Sequence, residues 1–259
     1  MVMAELPDLT VFAQILSRRF AGKVLETLEV TVANKLNVPV KEIKTALEGR
    51  ELIKVERAGK TLQLYFSGTQ VLGLHLMLRG QLVFIDQDEP PRFQILGFHF
   101  EGGEAFALID IQKQATPTLN PDQVEVSDAL EIEEQCFLDL LAKKKTVIKT
   151  LLMDQHVIRG IGNSYSDEIL YHAGISPFSI ANKIPVKEAK KLFKSTNKIL
   201  KKAIGDIARA NGDNLNGELR DFMLVHSSFL EKTSKGEKIL SDKIGGRKTY
   251  FTKGQKLFE

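Results

Sequence analysis

Between Leu52 and Asp110 apolar residues recur at every second position, whereas beyond Glu131 they recur at every third or fourth. The alternating runs 52–56, 61–66, 71–78, 81–85, 93–100 and 105–110 are short, and Gly or Asp/Pro clusters separate them. Side chains alternate faces along a strand, so such runs predict antiparallel sheets stacked as a sandwich. Strands first and helices afterwards read as an α+β chain. Ahead of the strands, Pro7 and Asp8 open a helix whose apolar stripe is Val11, Phe12, Ile15, Leu16 and Phe20, and Gly22 ends it. Lys23 to Ala33 reads as a further strand and Val40 to Leu47 as a short helix.

Thr116 to Leu130, with Pro117, Pro121 and few large apolar residues, reads as a linker. Helices are expected over Glu131 to Ala142, as a pair around Gly160, over Val186 to Ala210 and over Leu219 to Val225. The Lys/Gly-rich tail admits a β-hairpin with Gly245-Gly246 near its bend, or disorder. The expected divisions are a sandwich domain over 1–115, a linker over 116–130, a helical domain over 131–228 and a hairpin over 229–259.

With 43% hydrophobic and 27% charged residues among 259, the composition is that of a globular protein. No apolar run approaches the roughly 18 residues that span a bilayer, and no leader opens the chain. Cys136 is the only cysteine, which leaves no intramolecular disulfide and points to a cytoplasmic setting. Met1 to Cys136 carry 13 basic against 20 acidic residues and Phe137 to Glu259 carry 23 against 13, a split of −7 and +10. Such a split suggests a basic binding surface in the second half, with a merely solvated face as the alternative.

The stretch Lys143 to Pro177 carries the most chemistry. A basic run (Lys143, Lys144, Lys145, Lys149) leads into an apolar helical pattern, then a turn at Gly160-Ile161-Gly162, then a second helix that Asn163 is suited to cap. Glycines let a backbone approach another surface closely, and a helix N-terminus behind them favours phosphate. The stretch reads as a helix–turn–helix device for a nucleic-acid backbone; the alternative is an ordinary helical hairpin whose turn needs glycine.

KKKTVIK, LLMDQ, GIGN, Tyr165, Glu168 and AGISP together resemble the helix–two-turn–helix segment of the formamidopyrimidine-DNA glycosylase/endonuclease VIII (Fpg/Nei) family. The resemblance extends along nearly the whole chain. AELPDL resembles the family's PELPEV, AGK at Lys60 its strand lysine, LHLMLRG its LHLGMSG, and GGRKTYF its finger segment. It implies an N-terminal helix with an antiparallel β-sandwich, a helix–two-turn–helix domain and a C-terminal hairpin. The implied partner is damaged double-stranded DNA, bound by a monomer with no cofactor and no membrane. The implied activity is base-excision repair by a DNA glycosylase with AP-lyase chemistry on oxidised bases; the alternative is a silent binder of lesions or abasic sites.

In that family an N-terminal proline amine attacks the sugar C1′. The matching residue here is Ala4, whose nitrogen is in a peptide bond to Met3. A blocked amide is no nucleophile, so activity requires either translation from Met3 with removal of that Met, or Lys60 acting in its stead. Glu5 matches the acid/base glutamate, with helix capping as its plainer role. His75 is expected on the DNA backbone, or else as a core histidine, and Asn163 and Arg247 on the phosphates flanking an extruded nucleotide. Gly160 and Gly162 shape the turn. Of the residues filling the gap left by that nucleotide, Leu78 replaces the family's Met, while Lys113 and Gln114 replace an Arg and a Phe. The finger's two C-x-x-C pairs are replaced by Lys232-x-x-Lys235 and Thr252-x-x-Gln255, so no metal is expected there.

Overall fold

The computed structural model describes residues 3–85, 91–215 and 221–259. Its backbone falls into two compact units, Met1–Val124 with Ile207–Leu219, and Glu125–Asp206 with Arg220–Glu259.

The first unit begins with α1 (Leu6–Phe20), followed by β1 (Leu25–Val30), α2 (Val40–Leu47), and seven further strands. These are β2 (Leu52–Ala58), β3 (Thr61–Phe66), β4 (Gln70–His75), β5 (Gln81–Phe84), β6 (Gln94–Phe100), β7 (Ala105–Ile109) and β8 (Thr116–Leu119). They pair antiparallel in two four-stranded sheets, ordered β1-β6-β7-β5 and β2-β3-β4-β8. One core takes Leu62, Leu64, Leu72 and Leu74 from one sheet, Leu28, Phe98 and Phe106 from the other, and Phe12, Leu16 and Phe20 from α1. Phe98 and Phe106 stack with ring centroids 4.5 Å apart, and Phe20 tilts against Phe106 at 5.1 Å. The period-two alternation of the sequence is what puts these side chains on inner faces.

The expected linker begins instead with a strand. β8 pairs with β4, Leu74 opposite Pro117 and His75 opposite Thr116. Proline has no N–H for a ladder, but β8 is an edge strand, where none is required on its open side. The first strand is also shorter than Lys23 to Ala33.

In the second unit, α3 (Glu134–Lys143), α4 (Ile148–Met153), α5 (Asn163–Ala173) and the start of α6 (Val186–Asn211) are joined by a hairpin of β9 (Ile239–Ile244) and β10 (Arg247–Thr252). α3 starts later than Glu131 because Asp128 ties Leu130, Glu131 and Ile132 into a preceding turn. No helix covers 221–225: those residues form turns, and 219–220 lie outside the described residues. The tail is an ordered hairpin rather than disorder. Gln255 accepts the Thr252 N–H at 2.8 Å and donates to the Ile175 carbonyl at 2.8 Å, while Phe258 accepts from Ile180. No helix among the described residues is long and apolar enough to cross a membrane.

Candidate nucleic-acid interface

In the first unit, strand register gathers the candidate residues at one end of the β2-β3-β4-β8 sheet. Gly59 (φ +60) and Lys60 form the two-residue turn between β2 and β3, where glycine accommodates the left-handed first position. Thr61, next to Lys60, pairs with His75, and His75 pairs with Thr116. Lys60, His75 and the loop entering Thr116 are therefore neighbours across three strands. His75 is pushed below its ordinary value, first by burial and then by the charge of Lys60. Its Nδ1 accepts the Met77 N–H at 3.2 Å.

Beyond His75 the chain makes a turn that leaves Met77 and Leu78 exposed. Gly80 closes it, since a Cβ there would lie 2.2 Å from the Leu76 carbonyl oxygen. Lys113 and Gln114 are exposed on the loop before β8. That loop is wrapped on Asp110, whose carboxylate accepts the N–H groups of Gln112, Gln114 and Ala115 at 2.7–2.8 Å. Lys113 takes a positive φ of 55° within it.

α1 runs antiparallel to β2: the Ser17 hydroxyl bonds the backbone of Val55, and Arg57 Nε donates to Thr10. Its N-terminus thus lies toward the Gly59-Lys60 turn. Glu5 is the N-cap, accepting the Asp8 N–H while Asp8 accepts the Glu5 N–H at 2.9 Å. The plainer, capping role of Glu5 is real, and this reciprocal pair also fixes the carboxylate beside the buried Ala4.

In the second unit, Gln155 staples the glycine turn. Its side chain donates to the carbonyls of Met153 and Ile161 and accepts the Gly160 N–H. Gly160 has φ +101°, which a side chain would strain. Gly162, not Asn163, is the N-cap of α5. Asn163 is the first helical residue, and its amide reaches across to donate to the Lys248 carbonyl at 3.0 Å. That bond sets Asn163 beside the start of β10, where Arg247 is exposed.

Lys149 is no part of an exposed basic run. It is fully buried, with Nζ 2.7 Å from Asp167 Oδ1 and 2.8 Å from Thr249 Oγ1. The other Asp167 oxygen accepts the Tyr250 N–H at 2.9 Å and lies 2.7 Å from His226 Nδ1. Beside it Glu168 accepts the N–H groups of Leu224, Val225 and His226, and burial pushes its carboxyl upward against those bonds. Lys149, Asp167 and Glu168 thus tie α4, α5 and β10 into one frame under Asn163 and Arg247. Sequence reading missed Asp110, Gln155, Asp167 and His226. For Asp110 a local signal existed, an Asp leading a polar loop; Asp167 and His226 have none, because their partners are remote in the chain.

The chain has known relatives in both of its units. The family model for the formamidopyrimidine-DNA glycosylase N-terminal domain matches residues 3–116, and that for its H2TH domain matches residues 125–211. The formamidopyrimidine-DNA glycosylase of Protochlamydia amoebophila is 32% identical over 212 residues, 78% of this chain and 77% of that protein. That of Streptococcus mutans is 29% identical over 267 residues, 96% and 97% of the two chains. Lactococcus lactis Fpg, crystallised in complex with DNA containing an abasic site, superposes with a TM-score of 0.87 at 26% identity, over 96% of this chain and 98% of that one. Matched in both of its units and in one continuous alignment, the chain belongs to the formamidopyrimidine-DNA glycosylase family.

Proposed function

We propose that this protein is a base-excision DNA repair glycosylase that binds damaged duplex DNA and cleaves the sugar–base bond of oxidised bases, with AP-lyase activity. The observation that carries the reading is the bond from Asn163 to the Lys248 carbonyl, which sets a neutral donor–acceptor against the start of β10, one residue from the exposed Arg247. Two such groups suit adjacent phosphates, since guanidinium pairs with phosphate oxygens and an amide donates to one. The first unit supplies the chemistry. An uncharged amine, the α-amine of a processed Ala4 or Nζ of Lys60, adds to C1′ as the base leaves with the bonding electrons. Glu5 protonates the ring oxygen O4′, so the C1′–O4′ bond breaks and the nitrogen lone pair forms the iminium; loss of the C2′ proton then expels the 3′ phosphate by breaking the C3′–O bond. His75, Leu78, Lys113 and Gln114 line the same end and contact the strands around the lesion. The hairpin works without zinc, because its four knuckle positions, Lys232, Lys235, Thr252 and Gln255, offer no soft ligand and two of them satisfy each other.

Borohydride trapping on a duplex with an abasic site tests this. The expected result is a covalent adduct that peptide mapping places on Ala4 or Lys60. Tight, lesion-selective binding with no adduct in any preparation would leave a silent binder. No preference for the abasic duplex over an intact one would overturn the whole reading.

A further inference from the structure

The helix α6 carries eight basic residues (Lys187, Lys190, Lys191, Lys194, Lys198, Lys201, Lys202, Arg209) against two acidic ones, Glu188 and Asp206. Lys187, Lys191, Lys194, Lys198 and Lys201 are all exposed and recur at steps of four, three, four and three. That spacing lays them in a nearly straight row about 21 Å long, a charge every ~5 Å. Glu188 lies about 100° round the helix from Lys187, off the row. The acids near the row engage lysines beside it: Glu134 with Lys190 at 3.8 Å, and Asp206 with Lys202. Among the described residues, none of the five row lysines forms an ion pair.

The row crosses the C-terminal end of α5. Lys191 Nζ lies 3.4 Å from where a Cβ on Gly174 would be, and His172 Nδ1 is 2.9 Å from Ser195 Oγ. Lys235, from the loop before β9, adds its charge there: His172 is held below its ordinary value first by burial and then by Lys198, Lys191 and Lys235. Asn163 and the glycine turn stand at the opposite end of α5, about 16 Å away for its 11 residues. The phosphate grip proposed above does not use this face.

We propose that the lysine row of α6 is a second docking surface, for the phosphate backbone of another segment of duplex DNA. The inference rests on the repair reading only for the identity of the polyanion. A straight row of charges fits a linear polyanion, with ~21 Å spanning about six base pairs of backbone. A lipid surface fits poorly, because the apolar face of α6 (Leu192, Leu200, Ile207) is buried in the protein and the row itself has no apolar residue to insert. A segment captured here is handed to the primary surface without full release, which shortens search among undamaged DNA.

The test uses the full chain and the Lys191→Ala/Lys194→Ala/Lys198→Ala/Lys201→Ala variant. Alanine is the better helix former at exposed sites, so folding is not at risk. Release of a labelled duplex carrying an abasic-site analogue is followed as unlabelled intact duplex is raised. The wild type is expected to release several-fold faster with competitor. The variant should release at a competitor-independent rate, keep its affinity for the labelled duplex within about two-fold, and lose about 3.6 from the salt slope on intact duplex, ~0.9 for each of four phosphate contacts. A variant with wild-type competitor dependence and slope overturns the proposal, as does a wild type whose release ignores competitor. Row-dependent binding of anionic vesicles with unchanged duplex behaviour also overturns it. Failure of the wild type to favour the abasic duplex would instead sink the repair reading, while the slope on intact duplex still reads the row.

Discussion

Lys60 and His75 are coupled through space across one strand pairing, and the coupling is measurable. Replacing Lys60 by Met removes the positive charge, so the His75 value should rise in an NMR titration, stopping short of the ordinary one because burial remains. The linked stability has a definite sign. A histidine held below 6.5 in the folded chain takes up its proton more readily when unfolded, so its contribution is intact above about pH 7 and lost as pH falls through the folded value. Urea midpoints at pH 7.5 and 5.5 should therefore differ less in a His75→Gln variant. Lys149 presents the harder case. Lys149→Met leaves Asp167 buried without its cation, and should cost about 3–5 kcal/mol in urea unfolding. The sequence hid this residue because a lysine following three others resembles a solvated run; the carboxylate that neutralises it is Asp167 on the next helix, and Thr249 in the hairpin accepts its hydrogen bond.

Among elements, the loop between β7 and β8 depends on a single side chain. Asp110→Ala frees three N–H groups at once, and the loop bearing Lys113 and Gln114 should lose its conformation. The expected outcome is a loss of about 1–3 kcal/mol of stability with faster hydrogen exchange at Gln112, Gln114 and Ala115. Elements with a strong period were legible: α1, the strands from β2 to β7 and most of α6 stand where the alternation and stripes predicted them. β8 was not, since Pro117 speaks against a strand unless its edge position is known. The start of α3 was hidden for a related reason, a side-chain cap by Asp128 that competes with helix at Glu131.

At the scale of the molecule, the charge split and the glycine turn already located a basic second half, but not which lysines are exposed. α6 runs from residues grouped with the second unit into residues grouped with the first, and Leu215 packs on the core of the first. Asn163→Ala and Arg247→Ala should each weaken binding of an abasic duplex by about 1–3 kcal/mol. The double variant should lose less than the sum, since Asn163 holds the very strand that presents Arg247. Titration by fluorescence anisotropy measures all three.

The bonds from Gln255 to Thr252 and Ile175 have a consequence for where the protein can work. A fingertip closed by an amide has no thiolate to oxidise, so chelators and peroxide should leave its melting temperature and DNA affinity unchanged, whereas Gln255→Ala should lower both. The hairpin's order would then be independent of the cell's metal supply, and the repair function proposed above would be spared one way of being disabled by an oxidant.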